Sequence, residues 1–108
     1  LSLPTDAQAR KDVPLSTFIR KYFPDALVEL AAMSRAQNDR HNPGSPMHWS
    51  RDVSNDHEDC LMRHHMESGT IDEDGWRHSI KVAWRALAVA QLEIEQERET
   101  AKVKDFPG

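Results

Sequence analysis

The chain has 108 residues, room for one domain with one modest core. Its 14 Lys and Arg stand against 18 Asp and Glu, a formal charge of -4 that argues against broad binding of nucleic-acid backbone but leaves room for a local cationic pocket. No apolar run approaches the roughly 18 residues of a membrane span, no secretory pattern is evident, and the single cysteine, Cys60, rules out an intrachain disulfide. A cytoplasmic setting with no membrane partner is the expectation.

Residues 1–13 are polar and read as a loose, extended segment. Pro14 fits the first turn of a short helix running to about Tyr22, where its missing N–H costs nothing. Pro24 restarts the pattern in the same way. From Pro24 to about Asn38, "PDALVELAAMSRAQN" is rich in the strong helix formers Ala and Leu. Leu27, Leu30, Ala31 and Ser34 share one face of this helix. The stretch "NDRHNPGSPMHW" follows, and the loop it begins continues to about Val53. Loops of this length are usually functional or disordered. Trp49 and the Pro-Gly turns favour an ordered loop over a pocket.

A second helix is expected from about Asn55 to Ser68, with Asn55 and Glu58 as a capping box and Gly69 as the stop. "TIDEDG" turns the chain. A third helix begins near Gly75 and reaches the nineties, where "EIEQERETAKVK" is charged enough to fray. Residues from about 97 to 108 read as a loose tail. No alternating run is long enough for a strand. The expectation is a single all-α domain over residues 1–108, built as a helical bundle.

Three features break the amphipathic pattern. Glu29 has Ala26, Ala32, Met33 and Ala36 as its helix-surface neighbours. It is either a surface acid on an Ala-rich face or an acid aimed into a pocket, where small neighbours leave room for a ligand. The second helix stacks Asp56, Asp59 and Arg63 on one stripe and His57, Leu61 and His64 on the next. Two carboxylates one turn apart suit a hard cation such as Mg2+. The plainer readings are a helix cap for Asp56 and a solvated face for the rest. The third helix is apolar almost all round from Val82 to Leu92, which suits a central position or an oligomer interface. His78, Lys81 and Arg85 form a cationic stripe along it. That stripe is either its solvent face or, on a buried helix, a grip for an anion such as a triphosphate.

Acids on two helices and cations on the third suit a metal-bound nucleotide attacked by water. No Gly-rich phosphate loop is present, which closes the P-loop route. An adjacent His-Asp dipeptide is also missing.

The segments "KYFPDALVELAAMSRAQNDRHNPGSPMHWSRD", "DHEDCLMRH" and "GTIDEDGWRHSIKVAWRALAVAQLE" resemble phage dATP/dGTP diphosphohydrolases, relatives of the all-α MazG-like nucleoside triphosphate pyrophosphatases. The similarity spans about Arg20 to Glu95. It implies metal-dependent hydrolysis of dGTP or dATP to the monophosphate and pyrophosphate, with Mg2+ or Mn2+, in a homo-oligomer such as a dimer or tetramer. Some relatives serve phages that replace adenine by 2-aminoadenine, where dGTP cleavage supplies dGMP for the unusual base. The superfamily holds metal through E-x-x-E on one helix and E-x-x-D on the next. Here Glu29 is followed by Ala32 where the second acid belongs, and Asp56-x-x-Asp59 matches the second motif with Asp for Glu. The implied metal ligands are Glu29, Asp56, Asp59 and Asp72, with Glu29, Asp59 and His64 as the catalytic set. Asn38 and Asn42 are expected to read base edges, Arg40 to meet phosphate, and Trp49 to stack on a purine. His78, Lys81 and Arg85 complete the substrate-binding set. A non-catalytic purine-nucleotide-binding module and a helical oligomerisation module are the alternatives, since the first acidic motif is incomplete.

Overall fold

A computed structural model describes residues 3–105 of the chain. Five helices follow in order: α1 (Ala7–Lys11), α2 (Leu15–Lys21), α3 (Pro24–His41), α4 (His57–Met66) and α5 (His78–Asp105). The described residues contain no strand, only an isolated antiparallel bridge between Ile71 and Arg77. The architecture is all-α.

The polar segment before Pro14 is not wholly extended. Asp6 accepts a hydrogen bond from the Ala9 amide at 2.9 Å and caps α1. α3 runs beyond Asn38 to His41 and stops at Asn42, which leaves the helical region ahead of Pro43. The expected capping box at Asn55 is absent: Asp56 occupies the cap position of α4 and its side chain makes no capping bond. Gly69, with φ of +94°, follows the end of α4 where L side chains are strained. The reversal closes with Asp72 N–H donating to Trp76 O at 2.9 Å and His78 N–H donating to Thr70 O at 3.1 Å.

The charged end of α5 stays helical through Asp105 instead of fraying. Glu, Gln, Arg, Ala and Lys are all good helix formers, so high charge alone does not end a helix. At 28 residues α5 is about 42 Å long, and none of the described helices is apolar enough to cross a membrane.

α4 runs antiparallel to α5, with His57 beside Arg85 at one end and His64 beside His78 at the other. α3 crosses near the start of α5, joined by Arg77 Nε donating to Glu29 Oε1 at 2.7 Å and Gln37 donating to Asp74 at 3.1 Å. Burial within the chain is thin. Among the described residues only Met33, Cys60, Ile80 and Ala88 are buried apolar side chains. The radius of gyration is 16.9 Å, against about 13 Å for a compact domain of this length. The apolar face traced along α5 begins at buried Ile80 but continues into solvent at Leu87, which is 56% exposed, and at Ile94. Phe18, Tyr22 and Phe23 pack edge to face with one another and remain exposed.

Candidate functional site: a polar seam between two antiparallel helices

The cationic stripe of α5 is turned inward, against α4 and the preceding turn. His78 is buried, and Lys81 and Arg85 are half-buried. The solvent-face reading of that stripe is therefore set aside. Each member meets a protein partner. Lys81 Nζ donates to Asp72 Oδ2 at 2.7 Å and to Asp74 Oδ2 at 2.6 Å. Burial alone would lower the Lys81 pKa, but these two bonds outweigh it and raise it. The bond from Lys81 holds the Asp72 carboxyl below its usual range. Burial would raise Asp74, yet its bond from Lys81 leaves it lowered as well.

At the start of α5, His78 Nδ1 lies 2.8 Å from His64 Nδ1. Burial, followed by the charge of Lys81, lowers the His64 pKa and favours its neutral form. His64, Asp72 and His78 bring one ligand atom each to within 4.8 Å of one another, and no other group of three His, Cys, Asp or Glu does so among the described residues.

At the other end of the seam, Arg85 Nη1 lies 2.9 Å from His57 Nδ1. A guanidinium only donates, so His57 Nδ1 accepts and the neutral ring carries its proton on Nε2. That Nε2 is buried without a partner, an arrangement that costs about 1–3 kcal/mol. His57 also lines a cleft of about 480 Å3 between α4 and α5, together with Asn55, Glu58, Asp59, Val89, Leu92 and Glu93. Three carboxylates and the His57 residue thus line the same space.

The expected metal ligands are distributed over this surface and not gathered. Glu29 is tied to Arg77, about 24 Å along α5 from Glu93. Asp56 accepts from Cys60 Sγ at 3.4 Å and pairs with Arg63 at 3.7 Å. The Cys60 bond lowers the Asp56 pKa. Asp72 belongs with His64 and His78. Asp59 alone of the four lines the cleft.

The loop expected over a pocket serves another purpose. Asn38 is buried inside α3; its Nδ2 donates to Ser45 O at 3.1 Å and its Oδ1 accepts from His48 N–H at 3.3 Å. Both ends of the amide thus hold the loop in place. Trp49 packs edge to face on Trp84 at 5.7 Å, with the Arg51 guanidinium 4.2 Å over its ring. Arg51 then makes a two-pronged bond to Glu95, at 3.1 and 2.9 Å. The Arg51 bond, followed by one from Gln91, pulls the Glu95 pKa to about 2. Trp49 thus fixes the loop on α5, while Arg40 and Asn42 lie exposed on the surface.

The sequence pattern does not single out Glu58 or Glu93, the two further carboxylates that line the cleft. Glu58 was assigned to capping, and Glu93 sits in a segment whose charge suggested fraying. No local sequence signal marks this meeting, because it comes from the antiparallel pairing of α4 with α5, which places the first turn of α4 opposite the middle of α5. Comparison of the chain with family models, with curated proteins and with solved structures found no match.

Proposed function

We propose that the chain is a subunit of a divalent-metal-dependent purine deoxynucleoside triphosphate pyrophosphohydrolase of MazG-like type. The observation that carries this reading is the α4–α5 cleft, lined by Glu58, Asp59 and Glu93 together with His57, a buried residue whose Nε2 has no partner. Carboxylate oxygens from two helices suit Mg2+ or Mn2+, which prefer hard oxygen donors. Asp59 and Glu93 would hold the ion. When bound, the ion would supply Lewis-acid polarisation of the phosphoryl group. Glu58 would take a proton from water attacking the α-phosphorus. His57 would donate from Nε2 to a phosphate oxygen, its tautomer fixed by Arg85 behind it. The α–β bridging bond breaks, leaving a deoxynucleoside monophosphate and pyrophosphate.

An oligomer, a dimer or a dimer of dimers, belongs to the same proposal. The exposed aromatic cluster of α2 and α3 and the exposed faces of Leu87 and Ile94 support it, because a chain with so thin a core gains most by burying them. Incubation of the purified protein with each dNTP and Mg2+ tests the activity. Pyrophosphate released from dGTP or dATP supports it, and no product from any dNTP at high protein concentration refutes it.

One observation favours a second reading. The cleft carboxylates border one space, but no three of the described acidic and histidine side chains there close to within 4.8 Å. A purine-nucleotide-binding subunit without turnover would need no such closure. Calorimetry giving tight dGTP binding without hydrolysis would select it.

A further inference from the structure

We propose that His64, Asp72 and His78 form a separate binding site for a borderline transition-metal ion, with Zn2+ as the reference case. Three observations carry it. First, the three side chains come from the last turn of α4, the following reversal and the first residue of α5, yet their ligand atoms lie within 4.8 Å of one another. Ligands on tetrahedral Zn2+ sit about 3.3 Å apart, given Zn–N distances of about 2.0–2.1 Å, so small side-chain rotations complete the set. Second, the two imidazoles face each other through Nδ1 atoms 2.8 Å apart. Such a pair shares one proton in the metal-free chain, and a bound ion would displace that proton and part the two nitrogens slightly. Third, the carboxylate is already oriented. Lys81 holds Asp72 Oδ2 at 2.7 Å and the Glu73 N–H donates to Oδ1 at 2.7 Å, which fixes the carboxylate beside the His78 ring. Such outer hydrogen bonds aim metal-binding carboxylates.

The donor set defines the ion. Two imidazoles and one carboxylate favour Zn2+ and its transition-metal neighbours over Mg2+, which requires oxygen ligands and retains its water. Three protein ligands leave a fourth position for water. The ion would clip α4 to α5 across the reversal. The site lies about 23 Å along α5 from Glu93 and does not depend on the nucleotide reading.

The test uses untagged full-length protein stripped with a chelator. Calorimetric titration with Zn2+ should give one ion per chain, and Co2+ should develop a visible absorption band. A hundredfold excess over Kd should raise Tm by roughly 10 °C, while the same concentration of Mg2+ should not. His64→Ala and Asp72→Asn should each weaken Zn2+ binding by at least about tenfold. Cys60→Ser and the exposed-site variants His48→Ala and His65→Ala should keep it. Absence of Zn2+ binding up to about 100 micromolar, far weaker than structural zinc sites bind, overturns the proposal. So does binding that survives both His64→Ala and Asp72→Asn in variants whose far-ultraviolet circular dichroism is native. His78→Ala adds a third arm where it folds; the wild-type titration and the other two variants decide the matter without it.

Discussion

Replacing Lys81 by Met removes the ammonium that holds Asp72 and Asp74, at 2.7 and 2.6 Å. Hydrogen bonds to charged groups contribute about 1.5–3 kcal/mol each. The Lys81 side chain is 15% exposed and its acidic partners 26% and 22%, so water recovers part of the loss. A net destabilisation of about 2–3 kcal/mol follows, or a fall in Tm of roughly 10–20 °C for a domain near this size. Urea unfolding at fixed protein concentration, followed through tryptophan fluorescence, measures it. The pH dependence gives a second check. Both carboxyls are lowered in the folded chain, so the network's contribution is present above the unfolded value of 3.8 and is lost as pH falls through the lower folded values. The gap between Lys81→Met and wild type should therefore close on acidification. A loss under about 0.5 kcal/mol at pH 7, or a loss unchanged at low pH, would refute the reasoning.

Asn38→Ala strands the Ser45 carbonyl and the His48 amide. It should cost about 1–3 kcal/mol and speed proteolytic nicking between residues 42 and 56 with helix content preserved. Glu95 should titrate by carbon-detected NMR with a midpoint of about 2; the stability it contributes is present above its ordinary 4.5 and disappears as pH falls toward about 2. In Arg51→Ala that midpoint should return toward the ordinary value. His64 is lowered from 6.5, so its neutral form supports the fold above that pH and acidification below it should destabilise the α4–α5 hairpin. Light scattering at micromolar concentration should give a dimer or larger, and Leu87→Glu should shift it toward monomer; a wild-type chain that is a stable monomer would contradict the oligomer.

The helices are legible where a proline start or a long apolar run marks them, as at Pro24 and along Ile80 to Leu92. α1 was missed because its residues are polar, although Asp6 three positions before Ala9 is a local capping signal. The expected fraying of α5's end fails for the opposite reason: the segment is charged, but helix propensity prevails. The two inward stripes, His57 with His64 and His78 with Lys81 and Arg85, follow from spacing. Their partners do not, because these depend on the antiparallel register that the reversal between Gly69 and Gly75 imposes. Glu29 could not be assigned from its neighbours on α3, since Arg77, 48 positions away, takes its carboxylate. Asn38 and Trp49 carried a real signal of an ordered loop, but polar and aromatic side chains serve equally well to fasten a loop as to hold a base.

Phosphorus NMR of dGTP and dATP, each incubated with Mg2+ and wild-type, Asp59→Asn or Glu93→Gln protein, addresses the cleft itself. Wild type should convert one or both to monophosphate and pyrophosphate, with turnover falling by about a hundredfold or more in each variant while helix content stays native. Equal turnover in all three proteins, or none in wild type at high concentration, would contradict an acid cleft between α4 and α5 as the seat of the chemistry.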